Sequence, residues 1–98
     1  MSVIVELSVF PLDKGDSVSQ YVAEVIQIIK DSGLDYRFGP MSTCIEGEFE
    51  EVMLVVQNCF KALKTESERI YMNFKADYRK GQKQRLNAKV ESVLARID

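Results

Sequence analysis

Apolar and polar side chains alternate along four short stretches of this chain, and the segments between and after them repeat apolar residues at helical spacing. In residues 2–10, Val3, Val5, Leu7 and Val9 fall on one side and Ile4, Glu6, Ser8 and Phe10 on the other, the period of a half-buried strand. Pro11 to Asp16 reads as a loop. Ser17 with Gln20 three residues on predicts a capping box. Val18, Tyr21, Val22, Val25, Ile26 and Ile29 then form one apolar helical stripe, and Gly33 supplies a left-handed stop. Residues 35–38 predict a strand with Tyr36 and Phe38 on one side, Gly39-Pro40 a turn, and residues 41–46 the returning strand. Gly47 is expected to break that strand, with Glu48, Glu50 and Glu51 in the first turn of a helix, where negative charge suits the dipole. Its stripe is Phe49, Val52, Met53, Val56, Phe60 and Leu63. Residues 69–78 alternate again, Ile70, Met72, Phe74 and Ala76 against Tyr71, Asn73, Lys75 and Asp77. After Gly81, residues Leu86, Val90, Val93, Leu94 and Ile97 predict a last helix.

The order strand, helix, strand, strand, helix, strand, helix predicts an α+β protein of the ferredoxin-like βαββαβ type. Right-handed crossovers place the first and third strands centrally, giving a four-stranded antiparallel sheet of order 4-1-3-2. The first two helices cover one face, and the C-terminal helix is an addition. The chain of 98 residues is expected to be a single domain, 1–98, with no linker or repeat.

Composition narrows the function classes. A formal charge of −2 argues against a nucleic-acid or anionic-membrane partner. No 18-residue apolar run is present, so no membrane span is expected. The start lacks a basic leader and an apolar core of signal length, which predicts a cytoplasmic protein. Cys44 and Cys59 fit neither a disulfide framework nor a metal motif and read as reduced thiols. Histidine is absent, which removes the commonest general base and transition-metal ligand and lowers the expectation of an enzyme.

The candidate chemistry is concentrated after the Gly39-Pro40 turn, where Ser42, Thr43 and Glu46 stand close together. By parity the uncovered face of the sheet carries Ile4, Glu6, Ser8, Phe10, Ser42, Cys44, Glu46, Tyr71, Asn73, Lys75 and Asp77. That mixture predicts partial covering by the extra helix, a second subunit or both. Thr43 has the opposite parity and points toward the helices, unless a bulge after Pro40 reverses it. An RNA-recognition role is disfavoured because the third strand has no aromatic. The basic residues Lys75, Arg79, Lys80, Lys83 and Arg85 read as a solvated strand end and helix start. An acylphosphatase-like role fails because Asp13-Lys14-Gly15-Asp16 would repel phosphate.

The chain resembles the thiamine-binding, YkoF-like family of small ferredoxin-like proteins. The resemblance rests on Phe10-Pro11-Leu12, Ser32-Gly33-Leu34, the run Gly39-Pro40-Met41-Ser42-Thr43-Cys44-Ile45-Glu46-Gly47, Glu50-Glu51-Val52, Lys75-Ala76-Asp77-Tyr78-Arg79 and Lys89-Val90-Glu91-Ser92-Val93. It implies a non-enzymatic cytoplasmic protein that binds thiamine or its hydroxymethylpyrimidine portion, needs no cofactor or metal, and assembles into dimers or tetramers. Thr43 matches the family's threonine and is the first expected ligand contact. Glu46, Ser8 and Asn73, on adjacent strands, can supply carboxylate, hydroxyl and amide partners to an aminopyrimidine. Tyr21 can close a pocket between helix and sheet. Each has a plain structural alternative: Thr43 bonding a neighbouring carbonyl, Glu46 capping the second helix or pairing with Lys75, Tyr21 packing in the core. An amino-acid-binding regulatory module of the ACT type and a purely structural oligomer stand as alternatives.

Overall fold

The computed structural model describes residues 2–81 and 84–97. Lys83 of the basic cluster lies outside them. Strand β1 (Ser2–Pro11) runs through the middle of the sheet, because its Val3, Val5, Leu7 and Val9 supply one continuous apolar side. Strand β3 (Thr43–Glu48) pairs with it on one edge and β4 (Ile70–Tyr78) on the other, and β2 (Asp35–Phe38) lies outside β3. Every pairing is antiparallel. The order β2-β3-β1-β4 is the one the element sequence implies.

Helices α1 (Ser19–Asp31) and α2 (Phe49–Lys64) cover the side that carries Val3, Val5 and Leu7. Val25 and Ile29 of α1 and Val52, Val55, Val56, Cys59 and Leu63 of α2 meet β1 and Ile45 of β3 in one core. Each such side chain contributes about 1.5–3 kcal/mol through burial, and this layer fixes which side of β3 faces inward. Helix α3 (Arg85–Leu94) lies on the opposite side of the sheet, near β2 and β3.

Local expectations fail at four points. Helix α1 begins at Ser19 with Val18 at its N-cap and no side-chain cap. The Val18 carbonyl accepts from the N–H groups of Tyr21 and Val22, both at 3.0 Å, so Ser17 lies outside the helix and its capping box does not form. Strand β3 starts at Thr43, two residues later than the alternation predicts. The Gly39 N–H donates to the Ser42 carbonyl at 2.9 Å, drawing Met41 and Ser42 into the turn. Gly47 does not break the strand; it pairs with Val3. A Cβ there would lie 3.1 Å from Leu34 Cδ2, so its glycine serves close packing. Glu48 is extended at the N-cap position of α2, with no side-chain bond to the helix start, leaving Glu50 and Glu51 in the first turn.

The loop after β1 is tied down by Asp13. Its carboxylate accepts from Ser67 Oγ at 2.5 Å and from the Glu68 N–H at 2.8 Å. These bonds, that from Ser67 first, hold the Asp13 carboxyl below its ordinary 3.8. Asp77 is lowered as well, chiefly by its hydrogen bond from Lys89. A carboxyl with a depressed folded-state pKa adds stability above its unfolded value, and that stability is lost as pH falls through the folded value. The melting temperature should therefore hold from neutral pH to about pH 5 and then fall with acidification. Asp13→Asn should make the acid limb of a melting-temperature series shallower; an unchanged limb would exclude the Ser67 contact as a contributor.

Candidate functional site

The uncovered side of the sheet becomes a cleft because α3 is held over one end of it. Glu46 does most of the holding. Its Oε2 accepts from the Arg85 N–H at 2.8 Å and from Ser2 Oγ at 3.1 Å, and its Oε1 accepts from the Leu86 N–H at 3.0 Å. A carboxylate thus sits on the first backbone donors of α3, where the dipole favours it. The side chain is a strand residue only 5% exposed, buried by the helix it caps. Arg85 adds a second tie through Asp77, donating from Nη1 to Oδ2 at 3.2 Å and from Nη2 to the carbonyl at 2.8 Å. Lys89 also bonds the Asp77 carboxylate, and Arg37 bonds Asn87.

Between α3 and the sheet lies a cleft of about 340 Å³. Ile4 on β1 and Leu86 and Val90 on α3 make apolar walls, while Glu6, Cys44 and Lys75 supply polar atoms. Glu6 stands across from Cys44 on one neighbour and from Lys75 on the other. Ser42 Oγ donates to its Oε2 at 3.0 Å, and Lys75 Nζ lies 3.3 Å from its Oε1. The Ser42 bond, then Lys75, holds the Glu6 carboxyl below its ordinary 4.5, so it is ionised at neutral pH. Burial, with a smaller effect of the Glu6 charge, raises the Cys44 thiol, and burial alone pushes Cys59 up to about 11. Neither thiol is a neutral-pH nucleophile.

The structure divides the five expected ligand residues between the two sides of the sheet. Ser8 and Asn73 pair directly across β1 and β4, two residues along from Glu6 and Lys75. The Phe10 and Tyr71 rings follow, with centroids 5.7 Å apart. Glu46 shares this side, with both carboxylate oxygens engaged by Ser2 and α3; neither the second helix nor Lys75 is its partner. Thr43 and Tyr21 are on the helix-covered side. Thr43 pairs with Leu7 and Phe38, is 4% exposed, and its hydroxyl makes no hydrogen bond among the described residues. Tyr21 packs against the core as a partly buried residue. With the sheet between the two groups, one small ligand cannot touch all five. Glu6 is the residue that sequence reading passed over. Its signal was present: it is the one acid within the otherwise apolar-rich strand Val3-Ile4-Val5-Glu6-Leu7-Ser8-Val9-Phe10.

Fold and cleft together define a ferredoxin-like α+β protein with a mixed polar and apolar recess on the open face of its sheet. Residues 5–94 match the sequence profile of thiamine-binding proteins, and the chain belongs to that family. It is similar to a UPF0045 protein of Mycobacterium bovis, 39% identical over 94 residues that span 95% of this chain and 92% of that one. Two crystal structures share the fold at 28% identity. One is a hypothetical protein from Methanocaldococcus jannaschii, with a TM-score of 0.87 over 94% of this chain and 95% of that chain. The other, from Thermotoga maritima, is provisionally assigned to thiamine biosynthesis or salvage, with a TM-score of 0.83 over 95% and 99%. Among the described residues no helix is long and apolar enough to cross a membrane, and no cluster of metal-ligating side chains is present.

Proposed function

We propose that this protein binds thiamine or its hydroxymethylpyrimidine portion without catalysis, as a cytoplasmic homo-oligomer, in the open-face cleft. The observation that carries the reading is Glu6: an ionised carboxylate set beside Ile4 and Val90, braced on one side by Ser42. It can accept from the pyrimidine amino group or face the thiazolium cation. Lys75, whose side chain is 79% exposed, can leave Glu6 for solvent at little cost when a cation arrives. Ser8 and Asn73 extend the polar wall, and the Phe10–Tyr71 pair beyond them offers a ring face for stacking. Thiamine-binding family membership and the thiamine-related assignment of the Thermotoga maritima structure support the choice of ligand.

A second placement has one observation in its favour. Thr43, a residue 4% exposed, has a hydroxyl that makes no hydrogen bond among the described residues and so can still take a partner, and it lies on the helix side, where Tyr21 also packs. Calorimetric titration with thiamine and with hydroxymethylpyrimidine separates the two. In the open-face reading, Glu6→Gln weakens binding about tenfold or more, Thr43→Val binds as the parent does, and ligand slows alkylation of Cys44 at alkaline pH. In the helix-side reading, Thr43→Val loses about 1–3 kcal/mol of affinity and Glu6→Gln loses none. Absence of binding by both compounds, with a response to an amino acid in the same panel, would favour the ACT-type alternative.

A further inference from the structure

Of the basic residues expected at a solvated strand end and helix start, Arg85 is not solvated: it is only 7% exposed. Burying a guanidinium is costly unless its charge is balanced and its donors are used. Asp77 supplies part of that balance, accepting Nη1 on its Oδ2 at 3.2 Å and Nη2 on its carbonyl at 2.8 Å. The same Oδ2 also accepts from Lys89, so one carboxylate serves two cations. Arg85 Nε is buried and makes no hydrogen bond among the described residues, so the guanidinium still has a donor to give. Glu46, the other carboxylate close to Arg85, is already engaged by Ser2 and by the backbone N–H groups of α3.

These groups line a recess of about 500 Å³ between the end of β4 and α3. Helical spacing builds one wall: Arg85, Lys89 and Ser92 stand at i, i+4 and i+7 on α3, and the small Ala88 among them leaves room. Strand alternation builds the other wall, where Asp77 and Arg79, just past the end of β4, stand two residues apart. Three cations and a hydroxyl thus surround a single carboxylate. The recess adjoins the cleft over Glu6, because Asp77 and Lys89 line both. Asp77 lies two residues, about 7 Å, along β4 from Lys75, the partner of Glu6.

We infer that this recess holds the phosphate of a phosphorylated ligand, a phosphate monoester whose ring lies in the adjoining cleft. The identity of the ring rests on the thiamine reading above; the phosphate subsite rests on the recess alone. A monoester carries a charge of about −1.5 to −2 at pH 7 and three acceptor oxygens, which answers the excess of positive charge around Asp77. Arg79 can grip two of those oxygens as a fork. Lys89 has two N–H donors beyond the one on Asp77, and the Ser92 hydroxyl can donate to a further oxygen. The Asp77 carboxylate opposes an anion, but Arg85 and Lys89 both bear on it and outweigh it. A neutral alcohol in the same place gains little from these charges, so the site selects the phosphorylated form over the free one.

Calorimetric titration at low ionic strength with thiamine and with thiamine monophosphate tests this. The monophosphate should bind about tenfold or more tightly than thiamine, and its advantage should shrink as salt rises. Arg79→Gln, and separately Lys89→Gln, should bring the ratio of the two affinities close to one. Equal affinities in the parent, or a ratio that both variants leave intact, overturn the proposal and leave the thiamine reading standing. Inorganic phosphate tests the recess without a ring. It should shift the Lys89 and Ser92 amide resonances saturably, and Arg79→Gln should weaken that response; resonances that do not move overturn the subsite. Saturable shifts in a protein that binds thiamine in neither form would support the subsite and overturn the reading of the cleft.

Discussion

Ile45→Ala should destabilise the whole domain by about 2–5 kcal/mol, a large share of the roughly 5–15 kcal/mol that holds a small protein folded. Ile45 is completely buried, stands between Val5 of β1 and Tyr36 of β2, and faces the core formed with α1 and α2. Strands on both sides hold its backbone in place, so the space left by the truncated side chain cannot collapse freely, and the cavity adds to the lost burial. Urea denaturation should show a lower midpoint with an unchanged slope, because the surface exposed on unfolding is nearly the same. A loss below about 1 kcal/mol would mean that this layer packs more loosely than the structure shows.

Glu46→Ala should act quite differently, although Glu46 is the next residue. The substitution removes the acceptor for Ser2 Oγ and for the Arg85 and Leu86 N–H groups. Hydrogen bonds to a charged partner contribute about 1.5–3 kcal/mol. Their loss falls on the docking of α3 rather than on the core, since α3 can turn its freed donors to water by lifting off. The expected result is local opening: amides of residues 85–94 exchange about tenfold faster or more, while those of β1 and β3 keep their protection. The cleft between α3 and the sheet should open with it, so ligand binding at Glu6 should weaken in a variant whose Glu6 is intact. A Glu46→Ala protein that unfolds in one step with the core, with α3 no more exposed than before, would place the carboxylate's role elsewhere. Glu46→Gln, which keeps one acceptor, should lie between the two.

This contrast shows how far the sequence could be read. Alternation in residues 2–10, 41–46 and 69–78 assigned each strand residue to a side, and the contacts of Ile45, Val5 and Leu7 agree with that assignment because a half-buried strand can satisfy its apolar residues in only one phase. Helical spacing in Val25, Ile29, Val52, Val56 and Leu63 identified the covering layer for the same reason. Boundaries were less legible. Ser17 and Gln20 matched a capping pattern that the chain does not use, and Gly47 looked like a break yet sits in a strand where Leu34 needs the room. Candidate site residues were legible as residue types rather than as a site. Thr43, Glu46, Ser8, Asn73 and Tyr21 were named for their chemistry, and the three-dimensional arrangement divides them between opposite sides of one sheet.

The amino-acid order by itself determined the element sequence, the strand order, the composition of the core and the membership of a family, because periodic burial and crossover handedness depend on local pattern alone. Tertiary structure decided that Glu46 is occupied by α3 and that α3, held there, makes a cleft over Glu6 on the open side of the sheet. These depend on which groups from distant segments reach the same few ångströms: a carboxylate at position 46 finds its donors at positions 85 and 86. No pattern within either segment encodes that meeting; only the folded chain brings it about.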